Sequence, residues 1–116
     1  MRVHSTECLP DPTAGGFRDL TVQVRSAITD AGIRAGRVSV FAPEHGSAVF
    51  LNENESGLRA DLDRALARLA GGALVGSASV VVPVLEGQPW MGDWQRVMAF
   101  APQEEKGRFL IQVAGT

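Results

Sequence analysis

The sequence predicts an α+β domain: a mixed or antiparallel β-sheet core with two main helices. Three observations carry this. The chain has 116 residues, 45% of them hydrophobic, which suits one domain with one core. Two stretches repeat apolar residues at helical spacing. From residue 77 the chain becomes β-rich. Strands segregated from helices argue α+β rather than a doubly wound parallel sheet. No repeat, low-complexity tract or linker divides the chain, so residues 1–116 are expected to form a single domain.

Residues 1–16 are the least patterned, with Pro10, Pro12, Gly15 and Gly16 marking loop or extended chain and a short strand expected near Arg2–Ser5. Asp19 suits an N-cap, because its carboxylate can accept from first-turn N–H groups. Leu20, Val24, Ala27, Ile28 and Ala31 then predict a helix over about 20–31, stopped by Gly32. Val38–Ala42 and Ser47–Leu51 read as strands, the first ended by Pro43. Leu58, Leu62, Ala65, Leu66 and Leu69 form an apolar stripe that predicts a second helix over about 57–70. Ser79–Leu85 is an apolar strand followed by a turn at Glu86-Gly87. Trp94–Phe100 and Arg108–Val113 read as two further strands, expected to pair as an antiparallel hairpin across the Pro102–Gly107 loop.

The bulk numbers exclude several classes. A formal net charge of −2, with no basic run, gives no means of neutralising a phosphate backbone, so neither nucleic acid nor an anionic membrane surface is an expected partner. The single cysteine, Cys8, rules out an internal disulfide and the usual cysteine-type zinc site. The first residues hold no apolar signal core, and the apolar run Val80–Leu85 is too short to span a bilayer, so the expected compartment is the cytoplasm.

Phosphate-cradling, dinucleotide-binding and nucleophile-elbow motifs are absent. Three polar constellations remain. In Glu44-His45-Gly46-Ser47, an imidazole beside a carboxylate suits a general base, although a solvated turn explains the same residues. Asn52-Glu53-Asn54-Glu55 sits between a strand end and an expected helix N-terminus. Helix-dipole complementarity accounts for Glu55. Two amides and two acids exceed what a cap needs, and strand–helix junctions of this kind are frequent sites for small anionic or phosphorylated ligands. In Trp90-Met91-Gly92-Asp93-Trp94-Gln95, the indoles suit an aromatic wall with Gln95 as a polar handle, while core or hairpin packing is the simpler reading for Trp94.

In order, these segments resemble the YjbQ-like family, also named the secondary thiamine-phosphate synthase family. Phe17-Arg18-Asp19-Leu20-Thr21 resembles that family's Asp-Ile-Thr segment, and Ala31-Gly32-Ile33-Arg34-Ala35-Gly36 its Ser-Gly-(Ile/Val)-x-x-Gly. Leu51-Asn52-Glu53-Asn54-Glu55 is similar to its Ile-Asn-Glu-Asn-Glu, with Gly57-Leu58 and Asp61-Leu62 following. Gly92-Asp93-Trp94-Gln95 resembles Gly-Thr-Trp-Gln, and Ile111-Gln112-Val113 with Gly115 resembles Val-Gln-Val-x-Gly. Two departures stand out. Glu44 occupies the place of the histidine in the family's Val-Pro-His-Thr-Thr-Ala, with His45 one place later, and a one-place shift on a strand turns a side chain to the other face. Leu69-Ala70-Gly71-Gly72 runs almost directly into Ala73–Gly76, with no counterpart of the family's Asn-Ala-His-Ala-His.

The resemblance implies a YjbQ-like fold and a homo-oligomer. The departures imply a divergent member that binds a small ligand, or is vestigial, without a metal or cofactor and without efficient catalysis. Its expected pocket holds Asn52, Asn54, Asp93, Trp94 and Gln95 as ligand-binding residues. The alternatives are a weak thiamine-phosphate synthase, with Glu44 or His45 as base and Glu53 as partner, and a structural subunit of a protein complex.

Overall fold

The computed structural model describes residues 1–116 except 56, 58, 59, 62, 63, 65–75 and 103–105. Eight strands and one helix are assigned among the described residues: β1 Arg2–Cys8, β2 Phe17–Asp19, α1 Thr21–Ala31, β3 Ala35–Phe41, β4 Ala48–Asn52, β5 Ser79–Leu85, β6 Gln88–Pro89, β7 Arg96–Phe100 and β8 Phe109–Gly115. Among the described residues one helical element is assigned where two were expected. The second, over about 57–70, lies outside the described residues apart from Gly57, Ala60, Asp61 and Arg64.

All pairings among the described residues are antiparallel. A five-stranded sheet has the order β1-β8-β3-β5-β6, and a three-stranded sheet the order β2-β7-β4. The alternation in β3 and β8 explains the first sheet. Val38, Val40, Phe109, Ile111 and Val113 are fully buried, while Ser39 between the two valines of β3 is partly exposed and Gln112 between Ile111 and Val113 is exposed. These residues share one core with Val24, Ala27 and Ile28 of α1, Val49 of β4, and Val97 and Ala99 of β7, so both sheets and the helix close over the same apolar interior.

Two expectations are corrected. β7 and β8 do not form a hairpin: β7 lies between β2 and β4, and β8 between β1 and β3. Both strands are apolar enough to be central, and a hairpin would have placed them side by side in a single sheet. The 101–108 connection instead carries the chain from one sheet to the other. Asp19 is also not the N-cap. That position is Leu20, which offers no capping side chain, although Asp19 Oδ1 still accepts from the Thr21 N–H at 3.0 Å. The helix stop is as expected, with Gly32 left-handed at φ 65°.

Two glycines of the recognised motifs meet physically. Gly36 pairs with Gly115 across β3 and β8. A Cβ on Gly36 would stand 2.7 Å from Gly115 Cα, and one on Gly115 would stand 2.8 Å from Gly36 Cα. Motifs 79 residues apart in the chain are thus the two halves of one close strand contact.

Candidate functional site

The three-stranded sheet positions the polar residues. β7 begins with Arg96, paired with Asn52 of β4, while Asp19 of β2 stands opposite Met98. Arg96 and Asp19 therefore share a face, one diagonal step apart, which is within reach of a long side chain. Arg96 Nε donates to Asp19 Oδ2 at 2.8 Å, and Asn54 Nδ2 donates to the same oxygen at 2.9 Å. The Thr21 hydroxyl, two residues on from Asp19, accepts from the Val97 N–H at 2.8 Å. One carboxylate thus joins β2, the start of α1, β7 and the segment after β4.

Asp19 is only 10% exposed on its side chain. Burial pushes its carboxyl upward, but the hydrogen bonds from Thr21, Arg96 and Asn54 outweigh that and hold it below the usual carboxylate value. It is a fixed anion whose oxygens are already engaged, which makes it a positioning group.

Around this anchor lies a cleft of about 490 Å³, lined by Asp19, Glu53, Asn54, Glu55, Asp93, Trp94 and Arg96. Glu53 and Asn54 from one expected constellation thus meet Asp93 and Trp94 from another. Asn52 immediately precedes this lining, with its Oδ1 accepting from the Glu53 N–H at 2.8 Å. Gln95 serves its own turn instead. Its Oε1 accepts from the Gly92 N–H at 2.8 Å, closing the bend before β7, and it does not line the cleft. Trp94 reverses the packing expectation. β7 starts at Arg96, so Trp94 falls in the preceding turn, and the residue is 78% exposed.

Glu44 and His45 are elsewhere. They precede β4, whereas Glu53 follows it, so the length of the strand, about 14 Å, separates the two groups within one chain. Glu44 Oε1 accepts from Arg108 Nε at 3.1 Å, and His45 is exposed. The expected combination of Glu44 or His45 with Glu53 is therefore not assembled in one chain. The described lining sets four carboxylates against one guanidinium, and that guanidinium is bound to Asp19. Among the described residues, no group of three or more His, Cys, Asp or Glu side chains is arranged to hold a metal ion. No helix among them is long and apolar enough to cross a membrane.

Arg96 and the anchoring role of Asp19 are the features of the candidate site that sequence reasoning missed. The available signal was a charge at the mouth of an otherwise apolar strand, together with an acid in the Phe17–Thr21 segment. Their partnership depends on β2–β7 register, which no local pattern reveals.

A two-sheet antiparallel α+β fold with an acidic cleft beside an open indole defines the class. Comparison with known proteins supplies the family. Residues 9–73 match the family described as "UPF0047 protein YjbQ-like". A UPF0047 protein of Methanothermobacter thermautotrophicus is 32% identical over 117 aligned positions, covering 84% of this chain and 81% of that protein. The chain belongs to the YjbQ-like UPF0047 family. In fold it is similar to a YbjQ-like protein of unknown function from Sulfolobus solfataricus, with a TM-score of 0.80 at 24% identity over 99% of both chains. A hypothetical protein from Aeropyrum pernix gives a TM-score of 0.74 at 21% identity over 100% of both chains.

Proposed function

We propose that this family member is a small-ligand-binding protein that works without a metal ion and without efficient catalysis. The observation that carries the reading is the Asp19 anchor. A nearly buried carboxylate accepts from Arg96, Asn54 and the Thr21 backbone, and so holds residues from three parts of the chain around one cleft. Such preorganisation suits a binding site. The donor inventory supports the metal-free part, since the whole chain has two histidines and one cysteine. The weak-synthase alternative loses support from the separation of Glu44 and His45 from Glu53 along β4.

The test has two arms. In the first, wild type and Glu53→Gln are assayed for thiamine-phosphate formation from thiazole phosphate and pyrimidine pyrophosphate. No turnover above background is expected, and robust turnover that disappears in Glu53→Gln would overturn the reading. In the second, a thermal-shift screen of small molecules is run on wild type and on Trp94→Ala. Hits that stabilise only wild type are expected, and stabilisation indifferent to Trp94 would place the binding site elsewhere.

A further inference from the structure

Resting on that reading of the cleft, we infer that its ligand is a small organic cation of the quaternary or delocalised kind, held against the Trp94 indole and between the Glu53 and Asp93 carboxylates.

Three separate observations converge on this class. The first is hydrogen-bond accounting. Arg96, the cationic side chain among the described lining residues, is bound through Nε to Asp19. Asp19 in turn has both oxygens engaged, by Thr21, Arg96 and Asn54. Arg96 and Asp19 therefore offset each other. The side-chain carboxylates of Glu53 and Asp93 have no hydrogen-bond or ion-pair partner among the described residues, and they leave the described lining negative. A phosphate or carboxylate entering it would meet like charges directly.

The second observation is the indole. Trp94 is 78% exposed and takes part in no ring contact with another aromatic side chain among the described residues. A tryptophan held in a turn with its ring open lacks the apolar burial that usually explains the residue. An indole face attracts cations, best those whose charge is weakly hydrated, such as ammonium groups carrying methyl substituents. Carboxylates beside the ring add attraction of the same sign.

The third is size. The cleft of about 490 Å³ is far larger than a bare ion needs. A divalent metal would require several oxygens converging at about 2.0–2.6 Å, and the carboxylates here do not form such a group among the described residues. Space, an aromatic face and diffuse negative charge together describe a polyatomic cation.

The experiment uses the full chain labelled with nitrogen-15 in low-salt buffer. The two indole N–H resonances are assigned with a Trp90→Phe variant, and Trp90, which lines a different groove with Leu85 and Pro89, serves as the internal control. Tetramethylammonium and inorganic phosphate are titrated separately. Saturable movement of the Trp94 resonance by tetramethylammonium, with Trp90 unmoved, is the expected result. The affinity should fall about fivefold or more in Trp94→Ala, followed by calorimetry, and in Glu53→Gln/Asp93→Asn. It should also fall in ~0.5 M NaCl, where exposed charges are screened. Phosphate moving Trp94 while tetramethylammonium does not would overturn the cation inference and leave the cleft a ligand site. Neither probe moving Trp94 would overturn the cation inference, while the reading of the cleft as a ligand site would stand or fall by the thermal-shift screen. Tetramethylammonium moving Trp94 equally in wild type and the double carboxylate variant would also refute the assignment, because the charge would then have no part in binding.

Discussion

The two ends of β4 carry polar groups that look alike in the sequence and differ in the folded chain. At the leading end, Glu44 and His45 lie in a turn, and Glu44 shares the half-exposed Arg108 with Glu7 at 3.1 and 3.6 Å. At the trailing end, Asn54 meets Asp19 and Arg96 around a nearly buried oxygen. One end is a solvated ion pair, and the other is an anchored network beside a cleft. An acid next to an amide or an imidazole is therefore a poor guide to a site. What distinguishes them is whether long-range strand pairing places a partner where water cannot compete.

The largest effect is expected from Asp19→Ala. It leaves Arg96, Asn54 and the Thr21 N–H without their acceptor and should cost about 2–3 kcal/mol, given that hydrogen bonds to charged groups are among the stronger ones. Urea denaturation at neutral pH checks this, and a loss below that of Glu44→Ala would erase the contrast between the two ends.

Acid titration sharpens the same point. The Asp19 carboxyl is held below its unfolded value, so the stability it contributes is complete above the usual carboxylate range, near 3.9, and is lost as pH falls through the lower folded value. Stability measured from about pH 5 down to pH 2 should therefore drop more steeply in wild type than in Asp19→Asn. Parallel curves would mean that the network does not favour the ionised form.

A smaller effect is expected at the leading end. Glu44→Ala removes a pair in which Arg108 is 51% exposed, which should cost about 1 kcal/mol or less and should fade in high salt. The smallest effects are expected from His45→Ala and Trp94→Ala, each within about 0.5 kcal/mol, because neither side chain is packed. A large loss in Trp94→Ala would show that the indole supports the fold, and its role in the cleft would need revision.

The sequence by itself determined the elements whose signal is local. Leu20 to Ala31 with Gly32 made the helix legible, because periodicity and a left-handed stop act within a few residues. The alternation in β3 and the apolar runs in β5 and β8 revealed strands for the same reason. The Asn52–Glu55 run was legible as a polar segment, whereas for Trp94 core or hairpin packing was the simpler reading. Tertiary structure decided which elements meet. β7 and β8 are neighbours in the chain and belong to different sheets, because each fills a central place that only strands distant in sequence could flank. Arg96 found Asp19 through the β2–β7 register, and Glu44 lost Glu53 to the length of β4. Burial pattern is written residue by residue along a chain. The choice of partner is set by a packing that closes all the strands over one core at once, and no local window contains it.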